Sequence, residues 1–363
     1  MGLPNVQPEH YDAQLRDKLD WVKTEFAEFN LPQIEVFESE REHYRLRAEF
    51  RVWHDGDDLY YVMFDGDKHT PVRIDSCPMV SERIHQMMFK LLDVIRPNEI
   101  LRRRLFQIDF LSTLSGELTV SLLYHRPIGE EWAEEARKLR GMFDIDIIGR
   151  ARKTKILLDR DFVIETLNIN GKEFQIKQVE NSFSQPNGKV CEQMIQWGLD
   201  ATKEAGGDLV EYYCGAGTFT LPLAQNFRRV VATELAKVSV HAAKDNIALN
   251  GIDNVDVVRI SAEDFSQVLQ GKLQTRRVNG LALEECDFTT VLVDPPRAGL
   301  DDDTVQQVLQ YDNILYISCN PETLKSNLQA ICQSHQVERF ALFDQFPYTH
   351  HMECGVFLTR KPS

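Results

Sequence analysis

Two α/β arrangements joined end to end are what this sequence predicts: an α+β region with a largely antiparallel sheet over residues 1–185, and a doubly wound, Rossmann-like domain over 186–363. Three observations lead there. Over residues 43–65 polar and apolar side chains alternate with the period of a strand on both sides of an Asp-Gly turn signal. From residue 187 onward strand-like runs alternate with helical segments, the rhythm of a parallel sheet wrapped by helices. One of those strands, DLVEYY, runs into the turn CGAGT and then a helix, a place where small residues let a ligand approach the backbone closely.

Residues 10–29 read as an amphipathic helix. In HYRLRAEFRVW, Arg45, Arg47, Glu49, Arg51 and Trp53 share one strand face and Leu46, Ala48, Phe50 and Val52 the other, so one face is core and one is available. HDGDD turns the chain into LYYVMFD. A helix follows around 82–95, then the strands RLFQIDFLSTL and ELTVSLLYH joined across Ser115 and Gly116, a helix over 129–142, the strand FDIDIIGRARKTK, and a hairpin at Asn170 and Gly171. The second half reads helix (VCEQMIQWGLDATKE), strand (DLVEYY), helix (TLPLAQNF), strand (RVVATEL), helix (VSVHAAKDNIAL) and strand (VDVVRIS). A loop-rich insertion over 271–286 precedes the strand FTTVLVDPP, a helix near 302–311 and the strand ILYISCNP.

Composition narrows the function. A chain of 363 residues, 43% hydrophobic and 27% charged, can bury ordinary cores. The net charge of −15 argues against indiscriminate polyanion binding, which rests on neutralising phosphates. Two basic runs remain, Arg102 to Arg104 and Arg150, Arg152, Lys153 and Lys155; each is a phosphate contact or a solvated face. The seven cysteines show no C-x-x-C pair, no zinc or iron–sulfur spacing and no disulfide framework, so no metal or cluster is expected and the thiols suit a reducing cytoplasm. No apolar signal region or membrane-length apolar run is present in the sequence, so a membrane partner is not expected.

Five places bear on chemistry. Gly215 and Gly217 form the turn after DLVEYY, but a dinucleotide fingerprint would want a third glycine where Thr220 stands. Glu234 closes the next strand, where a carboxylate can accept both hydroxyls of a ribose; turn and glutamate together favour an adenosyl ligand. Asp264 either reaches an adenine amine or caps its helix. Asp294, Pro295 and Pro296 end the fourth strand at the carboxyl edge, where open α/β sheets bind ligands. Cys319 ends the fifth, followed by Asn320 and Pro321; a buried cysteine is more often a small hydrophobe than a nucleophile.

The stretches FSQPN (183–187), CGAGTF, VDPPRAGLD, YISCNPETL and FDQFPYTHHMECGV, with HYRLRAEFRVWHDGDDLY and LFQIDFL, resemble the RNA uracil-5-methyltransferases over essentially the whole chain, and the N-terminal ones resemble the tRNA-modifying branch. The resemblance implies an RNA-binding domain over 1–185 and an S-adenosylmethionine-dependent methyltransferase domain over 186–363. It implies Cys319 as nucleophile and Glu353 as general base, with Gln185, Tyr213, Thr218, Glu234 and Asp294 holding S-adenosylmethionine. Thr218 departs from the asparagine common in close relatives, yet a hydroxyl can still hydrogen-bond. The implied partner is tRNA, at the T-loop uridine of its T-arm, in the cytoplasm. The alternatives are uracil-5-methylation of another RNA (tmRNA or rRNA), T-loop-like or not, and a tRNA-binding or folding module with residual methyltransferase activity.

Carbon 5 of uracil is a poor nucleophile, and a thiolate adding at carbon 6 makes it an enolate carbon. A free thiol has a pKa near about 8.5, so lowering it by about two units would make thiolate the majority form. After methyl transfer a base must remove the proton from carbon 5; His350 and His351 rival Glu353 for this by titrating near neutrality. A base must also leave its stack to react. Phe106 has the character of a wedge into a folded loop and Arg51 that of a phosphate contact, against a core aromatic and a surface salt bridge.

Overall fold

The computed structural model describes residues 6–64 and 71–362, and contacts divide the chain into two compact units. The chain opens with α1 (Tyr11–Glu25) and β1 (Ile34–Phe37), both of which belong to the second unit.

The first unit is built chiefly from Glu40–Thr166 and Gln178–Gly188. Its elements are β2 (Arg47–Asp55), β3 (Asp58–Phe64), β4 (Pro71–Arg73), α2 (Glu82–Ile95), α3 (Glu99–Arg102), β5 (Leu105–Ser112), β6 (Leu118–Tyr124), α4 (Glu130–Met142), β7 (Asp146–Ala151) and β8 (Thr154–Leu157). Asp65, the expected end of the LYYVMFD strand, lies outside the described residues. The sheet runs β4-β3-β2-β5-β6-β7-β8 and is antiparallel except between β6 and β7, which α4 connects as a crossover. The period-two expectation for β2 holds: Ala48, Phe50 and Val52 are buried, while Glu49, Arg51 and Trp53 are exposed. Helix α2 starts where Ser81 accepts a hydrogen bond from the Ile84 amide, and its stripe of Ile84, Met87, Met88, Leu91, Leu92 and Ile95 is buried.

A hairpin of β9 (Phe162–Ile169) and β10 (Lys172–Val179) follows, turning where Asn170 and Gly171 both take positive φ.

The second unit contains Glu9–Ser39, Leu167–Lys177 and Lys189–Ser363. Beyond α1 and β1 it holds α5 (Gly188–Thr202), β11 (Asp208–Tyr212), α6 (Thr220–Leu223), β12 (Val230–Glu234), α7 (Lys237–Leu249), β13 (Val255–Arg259), α8 (Ala262–Leu269), β14 (Phe288–Val293), α9 (Asp302–Val308), β15 (Asn313–Ser318), α10 (Pro321–Ile331), β16 (His335–Phe343) and β17 (Glu353–Arg360). The sheet order is β1-β16-β17-β15-β14-β11-β12-β13. Strands β11 to β15 are parallel, and the order reverses between β11 and β14, so the carboxyl ends of these two strands flank the topological switch point. Strand β17 inserts antiparallel between β15 and β16.

A single cut at 185/186 differs from this division. Strand β1 completes its ladder on β16, from Ile34 opposite Phe340 to Phe37 opposite Phe343, and Phe26 meets Phe340 edge-on with centroids 5.2 Å apart. Residues 167–177 join the second unit because the amides of Gln175 and Lys177 donate to Asn250 and Asn246 on and just after α7. Among the described residues no helix is long and apolar enough to cross a membrane.

Candidate functional site

The carboxyl edge of the second unit's sheet brings together chain segments far apart in sequence. Register decides which. Tyr212 on β11 is level with Thr233 on β12 and with Val293 on β14, and Val293 is level with Tyr316 on β15. The residues just past these positions are therefore neighbours at one edge: Tyr213, Glu234, Asp294 and, after Ser318, Cys319.

The glycine turn is shaped for close approach. Tyr213 leaves β11 with φ 65°, a left-handed conformation unusual for an aromatic residue, and Gly215 and Gly217 follow with φ 56° and 84°. A Cβ on Gly215 would meet nothing within 4 Å, whereas one on Gly217 would lie 2.6 Å from Leu221 Cδ1; the first glycine leaves space and the second is needed for packing. Buried Asn246 of α7 holds the turn by donating to the Ala216 carbonyl at 2.9 Å. Glu234 accepts from the Gly215 amide (3.1 Å) and from the Leu235 and Ala236 amides (both 2.7 Å). A carboxylate has roughly four acceptor sites, so acceptor capacity remains for a ribose hydroxyl. Thr218 sits on this turn. Behind it, Glu211 Oε2 on β11 and Thr220 Oγ1 at the start of α6 are buried without hydrogen-bond partners. Open backbone at Gly215, a fixed carboxylate and a half-buried Tyr213 fit an adenosyl ligand.

Cys319 lies half-buried between β15 and the N-cap Asn320 of α10, whose side chain accepts from the Glu322 amide at 3.2 Å, with Pro321 in the first turn. The positive end of a helix favours a thiolate there. Asn320 also donates to the Arg297 carbonyl at 2.9 Å, tying the DPPRAG loop to the cysteine loop. Strand β17 runs antiparallel to β15 with Ser318 opposite Cys354, so Glu353 stands one step beyond that pair, level with Cys319. Glu353 is 4% exposed and its Oε2 has no hydrogen-bond partner.

The electrostatics of this edge differ from the expected lowering of the thiol. Burial first, then the negative charges of Glu353 and Asp294, push Cys319 up to about 11 against the opposing charge of Arg297. Burial also lifts Asp294 to about 7, and burial with Asp294 beside it raises Glu353 well above the carboxylate range. Glu211, raised to about 8 by burial and by the charges of Asp294 and Glu234 against nearby Thr220, belongs to the same acidic set. The protein alone therefore holds its thiol, and the carboxyls of Asp294, Glu211 and Glu353, above their usual ranges. Glu211 went unremarked in the sequence reading; its signal is an acid in the middle of the apolar strand DLVEYY.

His350 and His351 lie with ring centroids 4.0 Å apart, and Arg297 Nη2 is 3.3 Å from His351 Nδ1. Burial, then neighbouring His350, Arg297 and Lys18, hold His351 below its usual pKa. The Asp264 amide donates to the side-chain oxygen of the N-cap Ser261 at 3.0 Å, placing Asp264 in the first turn of α8.

Gln185 falls in the segment Gln178–Gly188 of the first unit. In that unit Arg51 is exposed on β2, its guanidinium 5.4 Å from the centroid of Phe106 on β5. Phe106 is half-buried rather than a core aromatic, and its ring stacks on His125 at 3.7 Å with planes 9° apart. The sequence reading missed His125, whose only signal is its place at the end of ELTVSLLYH. The two basic runs separate. Arg102 donates to the backbone oxygens of Gly56, Asp57 and Arg96, and Arg150 and Lys155 pair with Glu180, whereas Arg103, Arg104, Arg152 and Lys153 are exposed.

The sequence model of the family described as tRNA (Uracil-5-)-methyltransferase matches residues 10–361. The chain is 55% identical over 368 residues to the tRNA/tmRNA (uracil-C(5))-methyltransferase of Vibrio parahaemolyticus, and 56% identical over 365 residues to that of Shewanella denitrificans; each match covers 99% of this chain and 100% of the relative. Among solved structures, Pyrococcus abyssi tRNA (uracil-54, C5)-methyltransferase in complex with S-adenosyl-L-homocysteine shares the fold with a TM-score of 0.73 at 21% identity, covering 96% of this chain and 83% of that one. A full-length match to the family's sequence model, together with relatives more than half identical along their whole length, makes this chain a member of the tRNA (uracil-5-)-methyltransferase family.

Proposed function

We propose that this protein methylates carbon 5 of the T-loop uridine of tRNA, the position named as uracil-54 in the archaeal structure, through a covalent adduct between Cys319 and carbon 6 that Glu353 resolves. Family membership makes it an S-adenosylmethionine-dependent tRNA (uracil-5-)-methyltransferase. The finer reading is carried by one observation: a cysteine and an unpartnered buried glutamate stand level on neighbouring strands at the edge that also holds Asp294 and the glycine turn.

Each step follows from what these side chains can do. The Cys319 thiol gives its proton to solvent and the thiolate sulfur adds to carbon 6, moving the electron pair of the carbon 5–carbon 6 double bond onto carbon 5 and its adjacent carbonyl. S-adenosylmethionine, held by Tyr213, Thr218, Glu234 and Asp294, supplies an electrophilic methyl group that carbon 5 captures. Glu353, buried and raised in pKa, is a stronger base when ionised than an exposed carboxylate; it takes the proton from carbon 5. The pair left behind re-forms the double bond and expels the sulfur as thiolate. A thiol raised to about 11 becomes a good nucleophile only when the carboxyls beside it are neutral or when a group in the complex takes its proton.

Phe106, stacked on His125 beside Arg51, forms the RNA contact in this reading, as stacking surface and phosphate partner. The double name of the relatives favours tmRNA as a second substrate. The deciding experiment offers unmodified tRNA, tmRNA and rRNA transcripts with methyl-labelled S-adenosylmethionine and maps the product. Label as 5-methyluridine in the tRNA T-loop is expected; label elsewhere in tRNA, or in rRNA alone, overturns the reading.

A further inference from the structure

Helix α1 has no part in the chemistry above, yet one of its faces is spent on the loop that ends at Glu353. Tyr11, Gln14 and Lys18 recur at helical spacing and therefore share that face. Strands β16 and β17 close with Phe343 opposite Glu353, so the loop Asp344–Met352 between them is anchored at one end by the glutamate itself. Lys18 Nζ donates to Asp344 Oδ1 at 2.6 Å and to the Phe346 carbonyl at 3.0 Å. Gln14 donates to the other Asp344 oxygen at 2.7 Å and accepts from the Tyr348 amide at 3.3 Å. The rings of Tyr11 and Tyr348 meet edge-on at 6.0 Å.

This ion pair is buried, with Lys18 5% and Asp344 0% exposed. Burying two charges contributes little to net stability compared with apolar residues of the same shape, but it is strict about geometry: each oxygen and each ammonium hydrogen must find its partner. The strictness falls on a loop that turns through Tyr348 at φ 60° and closes through Thr349, whose hydroxyl donates to the Phe346 carbonyl and accepts from the His351 amide. The same loop brings His351 against Arg297, which the cysteine loop holds through Asn320. A cationic and an amide side chain from the start of the chain thus hold the first half of the loop, at Asp344, Phe346 and Tyr348, and Thr349 ties that half to the turn at His351 that leads into the glutamate.

We infer that Lys18 and Gln14 are positioning residues for Glu353: through Asp344 and the loop backbone they set where the base stands relative to carbon 5 of the bound uracil. The inference rests on the covalent reading above. A base misplaced by about an ångström slows its own step by on the order of a hundredfold while steps that do not use it continue. Loosening the clamp should therefore resemble a weakened Glu353 rather than a weakened cofactor or RNA site.

The test compares Lys18→Met, Gln14→Ala and the double variant Lys18→Met/Asp344→Leu with wild type and with Glu353→Gln, in the full chain. Melting temperature, S-adenosylmethionine binding, KM for tRNA, kcat and the fraction of protein trapped as a methylated, denaturant-stable RNA adduct are measured. Glu353→Gln must accumulate that adduct; if it does not, the base reading fails and the clamp fails with it. If it does, Lys18→Met and Gln14→Ala should lower kcat on the order of tenfold to a hundredfold, raise the adduct fraction, and leave KM and cofactor binding within about twofold. The apolar double variant should recover melting temperature without recovering kcat. Should Lys18→Met fail to fold, Gln14→Ala and the double variant carry the test. Wild-type kcat in the folded variants, or a loss of kcat that follows melting temperature with no rise in adduct, overturns the proposal.

Discussion

Cys319 and Glu353 stand level across the β15–β17 ladder, one residue past Ser318 and one before its partner Cys354. A helix, a strand and a loop separate them in the chain, and antiparallel pairing closes that gap. Opposite residues of such a ladder project to the same face, which puts thiol and carboxyl in one environment and explains why the Glu353 charge helps to push the Cys319 thiol up.

The order of bond making predicts different fates for two variants. Cys319→Ala abolishes both methylation and adduct, with S-adenosylmethionine binding retained. Glu353→Gln transfers the methyl once and stops, leaving methylated RNA bonded to Cys319, visible by denaturing electrophoresis with label in the shifted band. A shifted band lacking label rules out Glu353 as the base that resolves the adduct and makes His350 or His351 the next candidate.

The pH dependence of turnover has a fixed sign. Glu353 must be ionised to act and its pKa is raised; Cys319, up to about 11, loses its proton more readily as pH rises. Log kcat/KM should climb across about pH 6 to 9 rather than reach a plateau at the acid end. A flat kcat/KM profile over that interval contradicts raised values for both groups in the free protein.

Stability runs the other way with pH. Glu211 has a folded pKa of about 8 against 4.5 ordinarily, so the native state holds its proton more tightly than the unfolded chain. The stabilisation this brings is full below the lower value and is lost as pH rises through the upper one. Glu211→Gln keeps the protonated shape without the titration. It should match wild type near about pH 5 and exceed it near about pH 9 by up to a few kcal/mol in chemical denaturation. Equal stability at both values refutes this account of Glu211.

In the first unit, Phe106→Ala should impair methylation of folded tRNA by on the order of tenfold or more, since base–aromatic stacking contributes about 1–3 kcal/mol. Cofactor binding should not change. The ring is half-buried, so the melting loss should fall short of the 3–5 kcal/mol roughly typical of a core phenylalanine. A full core-sized loss with proportionate loss of cofactor binding makes the stack with His125 purely structural.

Much of this protein is written locally. The alternation in β2, the left-handed turn at Asn170 and Gly171, the glycine turn after β11 and the acid closing β12 depend on side-chain period and backbone freedom, which neighbouring residues decide, and each stands where the sequence puts it. The cysteine at the tip of β15 is equally legible, because a strand's end and a helix's first turn are local features. What the sequence leaves open are quantities summed over distant residues. The strand that carries Glu353 joins the sheet between β15 and β16, and the N-terminal helix and β1 leave their sequence neighbours for the second unit; both follow from ladders whose partners lie far along the chain. The thiol's pKa is of the same kind. Local reading supplies a helix terminus that favours thiolate, but desolvation and the charges of two carboxyls from other strands outweigh it, and only the assembled sheet edge determines their sum.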